Sequence, residues 1–261
     1  VILWSSTTAQ AADDLQRRVG IPVVGIEYGD LGEGRQTFYE ALRLVGSVTG
    51  GGERASRLIE YIESVLDDLR RRTSGAAPGP TAYIGGVAYR GSHGVLSTEP
   101  AYPPFTLLGI RNAAAGLGPE HAFIDREQLL EWNPRYLFID EGGYAQAMED
   151  LARQPCRVLD AVREGRLHGV LPYNWYAVNF GTVLADAYYI GSVIYPERFG
   201  DVDPAAMAEA VVSLLDDGDL AARIGLGARN WAERTISMAD YPERLDRMLD
   251  RLSENRPGDR A

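Results

Sequence analysis

The sequence is poor in the residues that build metal sites, disulfide frameworks and membrane spans. It has one cysteine, Cys156, and three histidines among 261 residues, which excludes a disulfide framework and argues against a built-in zinc site. No run of about 18 apolar residues occurs, so no membrane-spanning helix is predicted. Lysine is absent; the 26 basic residues are all arginine, and they face 37 acidic residues for a net charge of −11. Because such a field repels phosphate backbones, we expect no nucleic-acid partner.

The first 52 residues carry a strand–helix–strand pattern. The opening Val-Ile-Leu-Trp reads as part of a strand, residues 9–19 as a short helix and residues 21–28 as an apolar strand suited to a parallel sheet buried on both faces. No basic and apolar leader segment precedes the first strand. Since two strands cannot cover both faces of a parallel sheet, we interpret residues 1–52 as the remnant of an N-terminal α/β lobe, and expect its remainder and any signal peptide upstream.

A long amphipathic helix is predicted over residues 53–73, after the break at Gly50-Gly51-Gly52. Its apolar residues recur with a period near 3.6, at Ala55, Leu58, Ile59, Ile62, Val65, Leu66 and Leu69. About 20 residues span about 30 Å, the width of a small domain. Periodicity alone leaves two interpretations open, a strut joining two lobes and a surface helix packed on one sheet.

Residues 80–204 predict a second, C-terminal α/β lobe. Strands at 81–87, 136–140 and 168–171 alternate with helices at 126–132, 158–163 and 178–194, a pattern typical of a largely parallel sheet. Ligands of such sheets bind beyond the carboxyl ends of the strands. That rule points to the loops at 88–111, 141–146 and 173–179.

Those loops are rich in aromatic, amide, hydroxyl and arginine side chains, which can stack on an organic ligand or donate hydrogen bonds to it. The same aromatic residues could instead fill the core of the lobe. The predicted ligand-binding residues are Tyr89, Arg90, His93, Ser97, Thr98, Tyr102, Arg111, Tyr173, Asn174, Trp175, Tyr176 and Asn179. We predict no catalytic residue, no protein-held metal and no cofactor.

Several of these stretches resemble one known family, the substrate-binding proteins of ABC importers for iron chelates and vitamin B12. The similarity covers about residues 1–204. Its most specific pieces are Pro-Tyr-Asn-Trp-Tyr at 172–176 and Ala-Tyr-Tyr-Ile-Gly at 187–191; it also includes Ser-Thr-Glu-Pro at 97–100, Trp-Asn-Pro at 132–134 and Tyr-Pro-Glu-Arg-Phe at 195–199.

The resemblance implies an α/β fold of two Rossmann-like lobes joined by one long helix, here with an incomplete first lobe and extra C-terminal helices. It implies a monomer, periplasmic or anchored outside the cytoplasmic membrane, that captures an iron chelate, corrinoid or related metal complex in an inter-lobe cleft and delivers it to an ABC permease. Aromatic residues would stack on the chelate, Arg90 and Arg111 would pair with its carboxylates, and His93 or a tyrosine could bind the iron of a haem-like ligand.

Two alternatives remain open. The first is a molybdate- or tungstate-type oxyanion, held by arginine, asparagine and backbone donors. The second comes from residues 205–261, a helical tail that resembles the closing helices of GT-B glycosyltransferases and would make the chain a fragment of such an enzyme. Against the enzyme, no Gly-x-Gly-x-x-Gly phosphate loop is present, because Gly85-Gly86 and Gly142-Gly143 are isolated pairs. A structural or interaction module built from the tail helices has only their amphipathicity in its favour.

Overall fold

The structure is a computed structural model that describes residues 1–5, 7–77, 79–174 and 178–203. It divides into two compact units, unit 1 from Val1 to Asp68 and unit 2 beginning at Leu69. Parallel strands alternate with helices in both, which confirms the predicted α/β class. The predicted tail helices at 205–261 lie outside the described residues. Among the helices that are described, none combines the length and apolar character needed to cross a bilayer.

Unit 1 begins with the predicted strand–helix–strand motif. Strand β1 (Ile2–Ser5), helix α1 (Ala9–Val19) and strand β2 (Val23–Ile26) follow one another, and the two strands pair in parallel. The α1 bounds match the prediction because both ends carry strong signals: the Thr8 hydroxyl accepts a hydrogen bond from the Ala11 N–H, and Gly20 takes the left-handed conformation. Helix α2 (Arg35–Thr49) follows β2 in a segment for which the sequence analysis makes no assignment.

The sheet of unit 1 is only partly covered. No residue of β1 or β2 is fully buried, and Leu3 and Trp4 keep 40% and 37% of their surface exposed. The second strand therefore lacks, in this unit, the cover on both faces to which its apolar run is suited. The physical reason is that only two strands form the sheet in the part of unit 1 that the structure describes.

Helix α3 (Gly52–Thr73) begins one residue before the predicted helix at 53–73 and ends at the same residue. Its buried residues follow the predicted period, at Ala55, Ile59, Ile62, Val65, Leu66 and Leu69. The division between the two units falls inside this helix, after Asp68. The role of α3 as a bridge between lobes stays a prediction.

Unit 2 contains the main sheet. Its described strands are β3 (Ala82–Gly85), β4 (Ser97–Thr98), β5 (Ala122–Phe123), β6 (Tyr136–Asp140) and β7 (Leu167–Val170). Strands β3, β6 and β7 form a parallel sheet with β6 in the centre, and β4 and β5 form a separate antiparallel pair. The helices are α4 (Pro103–Leu108), α5 (Arg126–Trp132), α6 (Tyr144–Ala152), α7 (Asp160–Arg163), α8 (Phe180–Ile194) and α9 (Pro196–Phe199).

The core of unit 2 explains why its strands read as continuous apolar runs. Every residue of β3 is buried, as are four of the five residues of β6, because helices cover both faces of such a sheet. Cys156 is 1% exposed and belongs to this core, so the lone thiol serves as a small apolar side chain. The sheet thereby provides a rigid support for the loops at its carboxyl edge.

Candidate ligand-binding site

The loops after β3 and β6 meet at the carboxyl edge of the parallel sheet. Gly86 directly follows β3 and Gly143 lies three residues after β6. A Cβ atom on Gly143 would overlap the carbonyl oxygens of His93 and Gly86. Glycine is therefore required at position 143 for the two loops to touch.

An exposed cluster of rings, here called the aromatic patch, consists of Tyr89, His93, His121 and Phe123. The Tyr89 and His121 rings stack with centroids 4.3 Å apart and an interplanar angle of 5°. The Phe123 ring meets the His93 and His121 rings edge-on, with centroids 4.8 and 4.9 Å apart. The Arg90 guanidinium lies 5.4 Å from the centroid of the Tyr89 ring and adds a cation to the patch.

Hydrogen bonds hold the two imidazoles of the patch in place. The His93 Nε2–H donates to the Tyr89 carbonyl oxygen at 2.7 Å. The Ser97 hydroxyl donates its single proton to the Val87 carbonyl oxygen, so His121 Nε2, 2.8 Å from Ser97 Oγ, is the donor of that pair. Burial, followed by the nearby His93, lowers the pKa of the His121 imidazole, so His121 is neutral at pH 7.

Two rings of the patch are exposed, unlike the aromatic side chains in the core of this unit. Tyr89 keeps 42% of its surface exposed and Phe123 keeps 57%, whereas Tyr83, Phe105 and Phe138 are at most 1% exposed. Arg90 is exposed and has a φ of 53°, a backbone conformation that costs energy for a residue with a Cβ. Large aromatic side chains left at the surface beside a cation are typical of a ligand-binding surface.

Four of the predicted binding residues are buried instead. The Thr98 hydroxyl donates to the Ile84 carbonyl oxygen, and the Ser97 hydroxyl to that of Val87 as described above. Tyr102 is 1% exposed and Tyr173 is 8% exposed, and their rings meet edge-on with centroids 5.6 Å apart. These side chains lie in the interior of unit 2, where the hydroxyls of Ser97, Thr98 and Tyr102 donate to Val87, Ile84 and Asp186.

Two buried carboxyl groups lie beneath the loops. Asp140, the last residue of β6, accepts hydrogen bonds from the Gly142 and Tyr173 N–H groups, and Asp186 of α8 accepts from the Leu171 N–H and the Tyr102 hydroxyl. Burial raises the pKa of Asp140 to about 7, against the lowering effect of its two N–H donors. Burial raises the pKa of Asp186 well above its ordinary value, against the lowering effect of its Leu171 and Tyr102 donors.

The remaining predicted residues are spread over two ends of the sheet. The Arg111 carbonyl oxygen accepts from the Ala82 N–H at the amino-terminal end of β3, because α4 carries the chain back from the carboxyl edge; Arg111 therefore lies apart from the patch. Asn174 pairs with Val178, and Asn179 donates its side-chain amide to the Pro172 carbonyl oxygen. Trp175 and Tyr176 lie outside the described residues.

His121 and Phe123 are not among the binding residues predicted from the sequence. They join the patch because β5 pairs with β4, with Phe123 opposite Ser97. Each strand has two residues, which is too short to produce a readable alternation. The available signal was a phenylalanine two residues after a histidine in a connection rich in alanine and glycine, which composition alone does not distinguish from core packing.

The chemistry of the patch is that of recognition. Flat rings, two imidazoles and a guanidinium can stack on an organic ligand and pair with an anionic group. In the ranges that the structure describes, no group of three or more histidine, cysteine, aspartate or glutamate side chains could hold a metal ion.

Comparison with known proteins identifies the family of the chain. The family model described as periplasmic binding protein matches residues 1–170. The chain belongs to this family, which confirms the resemblance found in the sequence and places the chain among binding proteins rather than enzymes. No curated protein matches the sequence.

Solved structures share the fold. A periplasmic solute binding protein from Veillonella parvula DSM 2008 is 21% identical, with a TM-score of 0.64 over 81% of this chain and 64% of the other. The molybdate periplasmic binding protein MolA from Haemophilus influenzae, bound to molybdate, is 17% identical, with a TM-score of 0.63 over 81% and 70% of the two chains. A periplasmic heme binding protein from Pseudomonas aeruginosa is 17% identical, with a TM-score of 0.54 over 74% and 71%. The chain thus spans less than two thirds of the length of the Veillonella protein.

Proposed function

We propose that this chain is the solute-binding component of an ABC importer and that its ligand is an iron chelate, a corrinoid or a related metal complex. The observation that carries the proposal is the aromatic patch with Arg90, at the carboxyl edge of the unit 2 sheet. The family is the basis for the binding role, and the side chains of the patch are the basis for the proposed class of ligand. In this role the protein works outside the cytoplasmic membrane and passes its ligand to a membrane permease.

The ligand class follows from the rings and the charge. Tyr89 and Phe123 present apolar ring surface that suits a flat or macrocyclic organic ligand, and Arg90 suits the carboxylate or phenolate oxygens that such chelators carry. The net charge of −11 does not oppose an anionic ligand, because the local side chains of the patch are cationic or neutral. His93 supplies an imidazole beside the rings, available to an iron with an open coordination position.

A molybdate-type oxyanion is the second candidate. It is favoured by the fold shared with MolA, whose structure holds molybdate, and by the exposed guanidinium of Arg90. An oxyanion would use the arginine and backbone donors and would leave the exposed rings without a role, which is why we rank it second.

Thermal unfolding of the full chain tests both candidates, since a ligand that binds only the folded state raises the midpoint. The panel is ferric desferrioxamine, haemin, cyanocobalamin and molybdate, each at about 100 times a micromolar dissociation constant. We expect one of the three metal complexes to raise the midpoint by several degrees. A shift with molybdate alone would favour the oxyanion, and no shift with any of the four would contradict the proposed ligand classes.

A further inference from the structure

The buried carboxyl group of Asp140 connects the loops that follow two different strands. Asp140 ends β6 and is 1% exposed. One of its oxygens accepts from the Gly142 N–H at 2.7 Å, and the other accepts from the Tyr173 N–H, also at 2.7 Å. One side chain thereby fixes the backbone of the loop after β6 and of the loop after β7.

The connection continues to the third loop. The Gly142 carbonyl oxygen accepts a hydrogen bond from the Ser92 hydroxyl, which also lies 2.9 Å from Gln146 Oε1. Ser92 stands between Arg90 and His93. Asp140 is thus linked through Gly142 and Ser92 to the segment that carries the aromatic patch.

Asp186 also accepts hydrogen bonds from this region, from the loop after β7 and from Tyr102. It projects from α8 with 1% exposure, and it accepts from the Leu171 N–H at 2.9 Å and from the Tyr102 hydroxyl at 3.2 Å. The Tyr102 ring in turn packs edge-on against Tyr173. Both ends of the short segment from Leu171 to Tyr173 are therefore tied to buried carboxyl groups.

We propose that Asp140 and Asp186 are positioning residues, which set the backbone of the three carboxyl-edge loops before a ligand arrives. The inference rests on the proposed function in one respect: the expected consequence of the fixed loops is tighter binding of the ligand. Segments ordered in advance lose less conformational entropy on binding. A carboxyl group suits the task at Asp140 because both of its oxygens accept, whereas an asparagine there accepts with one oxygen and turns an NH₂ group towards the second N–H donor.

Amide hydrogen exchange of the full chain measures the positioning without a ligand. In the wild type we expect slow exchange at Gly142, Leu171 and Tyr173, although all three lie outside regular strands. Asp140→Asn is expected to speed exchange at Gly142 or Tyr173 by about tenfold or more, with the Leu137 amide of β6 unchanged. Asp186→Asn is expected to act at Leu171. The matched control is Asp125→Asn, which alters an exposed aspartate that accepts from the Gln128 N–H at 2.7 Å.

Three outcomes would overturn the proposal. They are fast wild-type exchange at Gly142 and Tyr173, no local change in either variant, and an equal acceleration throughout β3, β6 and β7, which would mark a purely structural role. The wild-type measurement decides the matter even if Asp140→Asn fails to fold.

Affinity separates this inference from the proposed function. For whichever of ferric desferrioxamine, haemin, cyanocobalamin or molybdate stabilises the wild type, Asp140→Asn should weaken binding by about tenfold, while Asp125→Asn should not. Unchanged affinity despite faster local exchange would overturn the role in binding. If the amides respond as expected and none of the four probes binds the wild type, the ligand classes are wrong and the anchoring of the loops stands.

Discussion

The segment between β3 and α4 has two parts that differ sharply in environment. Residues 89–93 place Tyr89, Arg90 and His93 at or near the surface, whereas residues 97–102 bury Ser97, Thr98 and Tyr102. Both parts carry the aromatic and polar residues that the sequence marks as ligand-binding. The difference teaches that two parts of one loop at a sheet edge can have different roles. The part nearer β3 presents side chains at the surface, where a ligand could contact them, and the part nearer α4 packs in the interior and stabilises the fold.

The largest expected effect comes from making the same substitution in each environment. Phe105 is 1% exposed and packs against Tyr102 and Phe138, whereas Phe123 of the patch is 57% exposed. We expect Phe105→Ala to lower the free energy of unfolding by about 3–5 kcal/mol, because a cavity replaces a buried ring, and Phe123→Ala to change it by less than about 1 kcal/mol. Urea unfolding of both variants measures this. Equal losses would mean that Phe123 is a core residue and that the patch is not a free surface.

The contact between loops predicts a slightly smaller effect. A methyl group at Gly143 would overlap backbone atoms of His93 and Gly86, whereas Gly116 has open space around its Cβ position. Gly143→Ala is expected to cost about 2–3 kcal/mol, and Gly116→Ala about zero. Chemical denaturation measures both. A neutral Gly143→Ala would show that the loops after β3 and β6 are not in the described contact.

The half-buried His168 predicts a pH-dependent effect. Burial lowers the pKa of His168, on β7, from 6.5 to about 4. The unfolded chain therefore binds more protons than the folded chain between pH 4 and 6.5, and stability rises with pH across that window. Asp140, whose raised pKa favours the protonated folded form, opposes this rise up to about pH 7. His168→Phe removes the histidine contribution, so we expect its unfolding free energy to rise by about 3 kcal/mol less than that of the wild type across this window. Parallel pH profiles for the two proteins would contradict the burial of His168.

Strong local signals made much of the fold predictable. Helix α5 and strand β6 have the bounds predicted from sequence, because Asp125 caps the helix, Asn133 and Pro134 end it, and a bounded apolar run forms the strand. Residues 35–49 received no assignment from the sequence, although Phe38 and Tyr39 of helix α2 are buried; its amino-terminal end at Gly34 has no side-chain cap that would mark it.

The site was less predictable because burial is a tertiary property. The sequence selected Tyr89 and Arg90 as binding residues by the same argument that selected Thr98 and Tyr102, since aromatic and hydroxyl residues after a strand suit a ligand and a core equally well. Their burial depends on contacts with residues distant in the chain. The pairing of β4 with β5 brought in Phe123, far along the chain and without a periodic signal of its own.

The central claim is that the aromatic patch with Arg90 binds the ligand. Its most direct test uses an Arg90→Ala/Phe123→Ala variant. Isothermal titration measures the affinity of this variant for the most stabilising of the four probes. The control is Arg163→Ala/Leu117→Ala, which removes an arginine with a 68% exposed side chain and a 45% exposed leucine elsewhere in unit 2. We predict a loss of affinity of at least about tenfold with an unchanged unfolding midpoint, and wild-type affinity for the control. Equal affinity of the two variants would contradict the account.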